Sequence, residues 1–147
     1  MIKLTQRNII ILIVISLIVL YIVYRRFFKM KFPIEGASLK NVSQEFGGEH
    51  NGIDIAFRQG APILAAMDGK VDAVYFDNLG GNQIILSHFA NKKTGYAHLT
   101  ETFVKAGDKV AKGQKIGSLG STGYSTGPHL HFTVSKDGIN QDPKKWL

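Results

Sequence analysis

The chain has 147 residues, a length that suits one domain plus an appendage, and no cysteine, so disulfides and thiolate metal sites are excluded. Any transition-metal centre must therefore be built from histidine and carboxylate, while the missing thiols say little about compartment. The net charge of +7 belongs to the leader: residues 1–31 hold Lys3, Arg7, Arg25, Arg26, Lys29 and Lys31 with no acid, whereas residues 32–147 set the other twelve Lys or Arg against all eleven Asp or Glu.

Residues 9–24 form an apolar run relieved only by Ser16 and flanked by Arg7 and by Arg25-Arg26. As a helix it would extend ~24 Å against a ~30 Å hydrocarbon core; interfacial Tyr21 and Tyr24 and snorkelling arginines make up the difference. The expectation is a single spanning helix, with residues 1–31 as a membrane anchor. A cleaved signal peptide is the competing reading, against which stand the length of the run and the lack of a small-x-small site after it. Flanking charge alone, two basic residues before the run and four after it, would leave the C-terminal domain in the cytoplasm. Long domains cross with limited regard to such charge, and the chemistry reached below has its substrate outside, so the domain is expected on the extracytoplasmic side. Arg25, Arg26, Lys29 and Lys31 would then face anionic headgroups.

Residues 32–41 read as a short connector in which Pro33 and Gly36 discourage regular structure. Residues 42–147 read as one domain punctuated by Gly47-Gly48, Asp68-Gly69, residues 78–82 and 91–95, and a series of glycines from Gly107 to Gly127. Short apolar segments lie between, at 62–66, 70–76, 83–89 and 114–119. With no convincing amphipathic helix among them, they predict an all-β domain: a compact antiparallel sandwich or barrel-like fold behind an N-terminal transmembrane helix. No basic stripe interleaved with stacking aromatics crosses it, so nucleic acid is not an expected partner.

In EHNGIDIAF, residues 49–57, Ile53, Ile55 and Phe57 alternate inward and leave Asp54 on the other face. His50 shares the parity of Asp54, but a straight strand would hold them ~13 Å apart. Asn51-Gly52 is a turn or bulge dipeptide, and a kink there would draw the two together. His88 in ILSHF has the parity of Ile84 and Leu86 and reads as a partly buried histidine with a backbone partner. His98 in TGYAHLT, taken alone, reads as a satisfied polar residue at a strand end. In GPHLHF, residues 127–132, His129 and His131 share one strand face while Leu130, Phe132 and Val134 face a core. A bare HxH is as readily a surface or hydrogen-bonded pair. Joined by His50 and Asp54, however, His131 completes three ligands of the sort zinc accepts, with a fourth position for water.

HNGID (50–54), YAHL (96–99) and STGYSTGPHLHF (121–132) resemble, in order, the three signatures of the LytM/lysostaphin-type zinc metallopeptidases, and VKAGDKVAKGQKIGSLG (104–120) is similar to their glycine-punctuated hairpin. The resemblance covers roughly residues 42–147. It implies one Zn2+ per domain held by His50, Asp54 and His131, His129 as general base, and His98 as stabiliser of the oxyanion or helper in proton transfer. It also implies endopeptidase action on crosslinks or stem peptides of peptidoglycan, which the anchor would keep close to the membrane. Two departures stand out: only Gly48 and Glu49 separate EFG from His50, which would lower one wall of the groove, and Thr133 stands where relatives commonly carry an acid. The short connector argues against an inhibitory segment in cis, so a protein regulator would act in trans. Two other readings remain: a non-catalytic module of this fold that binds and activates another wall hydrolase, and a lipoyl- or biotinyl-type carrier hairpin at GDKVAKGQ, which leaves every histidine unexplained.

Overall fold

The structure is a computed structural model that describes residues 5–27 and 29–147. The side chains of residues 25–27, and with them the expected snorkelling of Arg25 and Arg26, lie outside the described residues, as does Lys3. A single α-helix, α1 (Gln6–Phe27), precedes ten strands: β1 (Val42–Gln44), β2 (Ile53–Ala56), β3 (Pro62–Leu64), β4 (Gly69–Asp77), β5 (Gly81–His88), β6 (Lys92–Thr102), β7 (Lys109–Val110), β8 (Lys115–Leu119), β9 (His129–Lys136) and β10 (Ile139–Gln141). The apolar stretches at 62–66, 70–76, 83–89 and 114–119 thus become β3, β4, β5 and β8, and no α-helix forms among the described residues of the domain.

Every strand pairing is antiparallel, in the order β1-β2-β9-β6-β5-β4-β7, with β10 on β9 and with β3 joined through β8 to β6. The alternation read in the sequence sets the faces. Ile53 and Ile55 of β2, with Leu130, Phe132 and Val134 of β9, are fully buried, and the residues between them point the other way. Ile34, Ile63, Ala65, Ile116 and Leu119 belong to the same core. At ~25 cal/mol per Å² of apolar surface removed from water, burial of this kind is the main force stabilising the core.

The connector is irregular in backbone yet not a loose tether. Met30 and Ile34 are buried in the core. Met30 N–H donates to the Trp146 carbonyl (2.8 Å), Lys31 N–H to that of Ala66 (2.8 Å), and Ile34 bridges Ile63. Lys29 Nζ donates to the Leu147 backbone oxygen and Lys112 Nζ to that of Lys29. α1 shows no such burial: its 19-residue window Gln6–Tyr24 has a mean hydropathy of 2.5 and is 0% buried, long and apolar enough to cross a membrane by length and composition.

The longest strand is also where the sheet changes partners. β6 pairs with β9 as far as Ala97 and with β8 from Leu99 onward. His98, between them, has φ 62°, a left-handed conformation uncommon for a residue with a Cβ. The polar face of the sheet carries a groove, so this break in β6 lies within it.

Candidate metal centre and active site

Pairing of β2 with β9 sets Asp54 directly opposite His131 and Ala56 opposite His129. One cross-strand pair therefore supplies a carboxylate and an imidazole at contact distance: His131 Nδ1 lies 2.8 Å from Asp54 Oδ1. His50 reaches them because the chain folds back before β2. Gly47 and His50 exchange backbone hydrogen bonds (3.1 and 3.0 Å) across the two-residue Gly48-Glu49 turn, and both glycines there have positive φ. His50 Nε2 comes to 3.1 Å from both Asp54 Oδ1 and His131 Nδ1. Gly52 is required for close approach, since a Cβ there would meet the Phe132 carbonyl oxygen at 2.5 Å and His131 Cε1 at 3.0 Å.

Each imidazole is fixed from behind. His50 Nδ1 donates to the Glu45 carbonyl (2.8 Å), and His131 Nε2 lies 2.9 Å from Asn51 Oδ1. In their neutral forms both rings then spend their only N–H on these outer partners and turn a lone pair toward an acceptor-only carboxylate. Three acceptors thus converge with no proton among them, which is the donor set of a cation site, and nitrogen and oxygen ligands held by outer hydrogen bonds suit zinc. The three ligand atoms all lie within 4.8 Å of one another. Half-burial opposes ionisation of Asp54, but a hydrogen bond from His131 and the charges of His131, His50 and His129 in their protonated forms outweigh it and hold its carboxyl below the usual carboxylate range.

Two more histidines border this centre. His129 Nδ1 donates to the Gly127 carbonyl (2.8 Å), with Ser125 Oγ at 3.2 Å, and its Nε2 faces inward, 4.0 Å from Asp54 Oδ2. His98 Nδ1 donates to the Thr122 carbonyl (2.8 Å), and its ring centroid lies 4.5 Å from that of His129 and 6.3 Å from that of His131. Burial pushes the His98 pKa down; the Thr122 carbonyl opposes the shift without cancelling it, so the ring is neutral near pH 7. Two basic nitrogens, each with its partner nitrogen tied to a backbone carbonyl, are thereby presented beside a cation site.

All five residues singled out in the sequence converge here, whereas His88 does not. Its Nδ1 donates to the Asp68 carbonyl (3.0 Å) and its Nε2 meets Thr94 Oγ1 (2.8 Å), in the role expected of it. Glu45, Asn51, Thr122 and Ser125 were not foreseen as partners. Three of these contacts use backbone carbonyls or a turn serine, which carry no residue-type signal, and Asn51 was legible only as half of a turn. Thr133 lines the groove, and the outer nitrogen of His131 takes Asn51 instead. Gln44, Glu49, Tyr75, Leu79 and Tyr124 complete walls around a cavity of about 610 Å³.

A family model, Peptidase family M23, matches residues 48–143, which contain the three converging ligands and both flanking histidines. The chain belongs to peptidase family M23. Its curated M23 relatives include peptidoglycan DD-endopeptidase ShyC of Vibrio cholerae serotype O1, 41% identical over 95 residues, covering 65% of this chain and 22% of the relative. Lysostaphin of Staphylococcus simulans is 41% identical over 107 residues, covering 69% of this chain and 22% of the relative. The chain thus spans only about a fifth of the length of such relatives. Among solved M23 structures, a zinc containing peptidase from Vibrio cholerae superposes with a TM-score of 0.69 at 35% identity, covering 80% of this chain and 39% of that one. The catalytic domain of lysostaphin from Staphylococcus simulans does so with a TM-score of 0.62 at 37% identity, covering 80% and 90%.

Proposed function

We propose that this M23 domain is a zinc-dependent endopeptidase that hydrolyses peptide bonds in the crosslinks or stem peptides of peptidoglycan, and that α1 anchors it in a membrane with the domain on the extracytoplasmic side. The supporting observation is the convergence of His50 Nε2, Asp54 Oδ1 and His131 Nδ1 beside the inward Nε2 of His129 and the ring of His98. Relatives named as peptidoglycan endopeptidases support the substrate class. A non-catalytic module would have no need of all five groups in this arrangement.

In the mechanism, His50, Asp54 and His131 would hold the metal, and Glu45 and Asn51 hold the rings of the two histidines. Zinc held there would supply Lewis-acid polarisation of the scissile carbonyl and a water acidic enough to be deprotonated near neutral pH. His129 Nε2, bare because Nδ1–H is committed to Gly127, accepts the proton of the attacking water. His98, whose Nδ1–H is committed to the Thr122 carbonyl, would take up the second proton of that water, and both rings would return their protons to the leaving amine as the C–N bond breaks, so that neither is left charged. The groove walls orient the peptide.

Replacing His129 with Ala is expected to leave the metal content intact and slow turnover by about 10²–10⁴-fold, the range of a positioned general base. Wild-type release of fragments from purified peptidoglycan by this variant would remove the assignment.

A further inference from the structure

His98 occupies a backbone conformation that costs energy, and two loops from different parts of the chain hold it there. The first is the 77–81 turn between β4 and β5. Asp77 Oδ1 accepts from the N–H groups of Leu79 (2.9 Å) and Gly80 (2.6 Å), and Asp77 Oδ2 accepts from Gln83 Nε2 (2.7 Å). The Gly80 carbonyl, oriented by that turn, accepts from the His98 N–H at 2.7 Å. The second loop is residues 120–125, whose Thr122 carbonyl accepts from His98 Nδ1 at 2.8 Å.

The two loops are locked to each other. Thr122 Oγ1 accepts from Asn82 N–H (3.0 Å) and donates to the Leu99 carbonyl (2.8 Å), while Tyr124 N–H donates to the Leu79 carbonyl (2.9 Å). Their backbones touch at glycines: a Cβ on Gly81 would lie 2.2 Å from Thr122 Oγ1, and one on Gly123 would lie 2.3 Å from the Gly81 nitrogen. One arm of this lock fixes the main chain of His98 and the other fixes its ring. Among the described residues Asp77 is the only carboxylate that organises it, and it sits on the surface, remote from the metal ligands in sequence and bonded to none of them.

We propose that Asp77 is a positioning residue for turnover, ordering the 77–81 turn so that the Gly80 carbonyl and the Thr122 loop together hold His98 at φ 62° with Nε2 directed at the reacting centre. The proposal rests on the catalytic role of His98 given above. An exposed carboxylate on a turn would otherwise be expected to change activity little; here its removal releases a left-handed histidine toward ordinary strand geometry and displaces its ring nitrogen. Misplacement by about 1 Å is enough to cost about 10²-fold in rate. Asp77 and Leu79 also line the groove, so half-saturation reports on that wall, and the His98 ring signal is the readout that separates positioning of His98 from loss of a groove contact.

The test uses the full chain in detergent micelles, loaded with zinc, comparing wild type, Asp77→Ala, Asp77→Asn, Thr122→Val and His98→Ala. Three quantities are read: zinc content, the maximal rate and half-saturating concentration for release of dye-labelled peptidoglycan fragments, and the ring N–H signal of His98 in the nitrogen-15 NMR spectrum. Asp77→Ala should keep zinc, lose about 10²-fold in maximal rate, and lose or broaden the slowly exchanging His98 Nδ1–H signal. Asp77→Asn, whose side-chain oxygen still accepts from Leu79 and Gly80, should restore both signal and rate. Thr122→Val, which removes the hydroxyl lock while keeping the carbonyl, should reproduce the Asp77→Ala pattern. An unchanged rate and His98 signal in Asp77→Ala would overturn the proposal, as would a failure of Asn to rescue. Wild-type turnover by His98→Ala would instead remove the catalytic role of His98, and with it the purpose of the lock.

Discussion

The three converging ligand atoms make different demands on their side chains, and the demands can be separated by substitution. Asp54 supplies the only formal charge among the three, so Asp54→Ala is expected to lose zinc on gel filtration. A full metal complement in that variant would contradict the ligand assignment. Asn51 touches no metal position but fixes the outer nitrogen of His131. Asn51→Ala should weaken zinc affinity by about 10–100-fold, the usual cost of losing such an outer partner, measured by chelator competition; an unchanged affinity would show that the ring is held by packing alone. At this scale the sequence was informative wherever strand parity governs direction: His129 with His131, and Asp54 opposite the core row of Ile53 and Ile55. It was silent on Glu45 and Thr122, which act through carbonyl oxygens that every residue possesses.

Strands and turns bring these side chains into range, and their constraints are steric as well as polar. The turn before β2 works only with a residue lacking Cβ at position 52, because Phe132 and His131 pack against it. Gly52→Ala should therefore destabilise the fold by about 1–3 kcal/mol through overpacking and reduce metal affinity as β9 is pushed away; the melting temperature and a zinc titration measure the two effects. The other buried histidine reports on the interior. His88 sits with Thr94, Tyr96 and the Ala66 N–H in a buried chain of hydrogen bonds, and burial pushes the Tyr96 hydroxyl up to about 12. Burial likewise lowers the His88 pKa below its ordinary 6.5, only partly opposed by the Asp68 carbonyl. As pH falls through 6.5 the unfolded chain takes up a proton that the folded chain refuses, so this stability is present above 6.5 and lost below it. The drop in melting temperature from pH 7.5 to 5.5 should be smaller in His88→Gln than in wild type, and equal drops would contradict this account. Strand positions were legible from glycine punctuation and apolar runs. The left-handed break at His98 was not, because it arises from the exchange of β9 for β8 as partner, a long-range event without local signature.

Taken whole, the molecule joins an apolar helix to a folded domain with almost no slack. The sequence suggested a connector beginning at residue 32, yet Met30 and Ile34 pack in the core and Lys31 bonds to Ala66. Pro33 and Gly36 do discourage regular structure, but irregular backbone can still be buried when its amides find partners. A domain cut before residue 29 should consequently be more stable than one cut before residue 32 by the roughly 2–5 kcal/mol typical of losing a buried methionine side chain, read in denaturant unfolding; equal unfolding free energies would mean that Met30 contributes nothing. The proposed anchor is tested separately from the chemistry by sedimentation of the full chain with liposomes: co-sedimentation is expected, and a chain left in the supernatant would contradict it. The chemistry itself is tested most directly by digesting purified peptidoglycan with the full chain in detergent, before and after chelation and again after zinc is restored, with released fragments identified by mass spectrometry. Peptide fragments bearing new amino and carboxyl ends, lost on chelation and regained with zinc, are the expected result. Release indifferent to chelation, or none from a folded and zinc-loaded chain, would contradict the assignment of this centre as a peptidase.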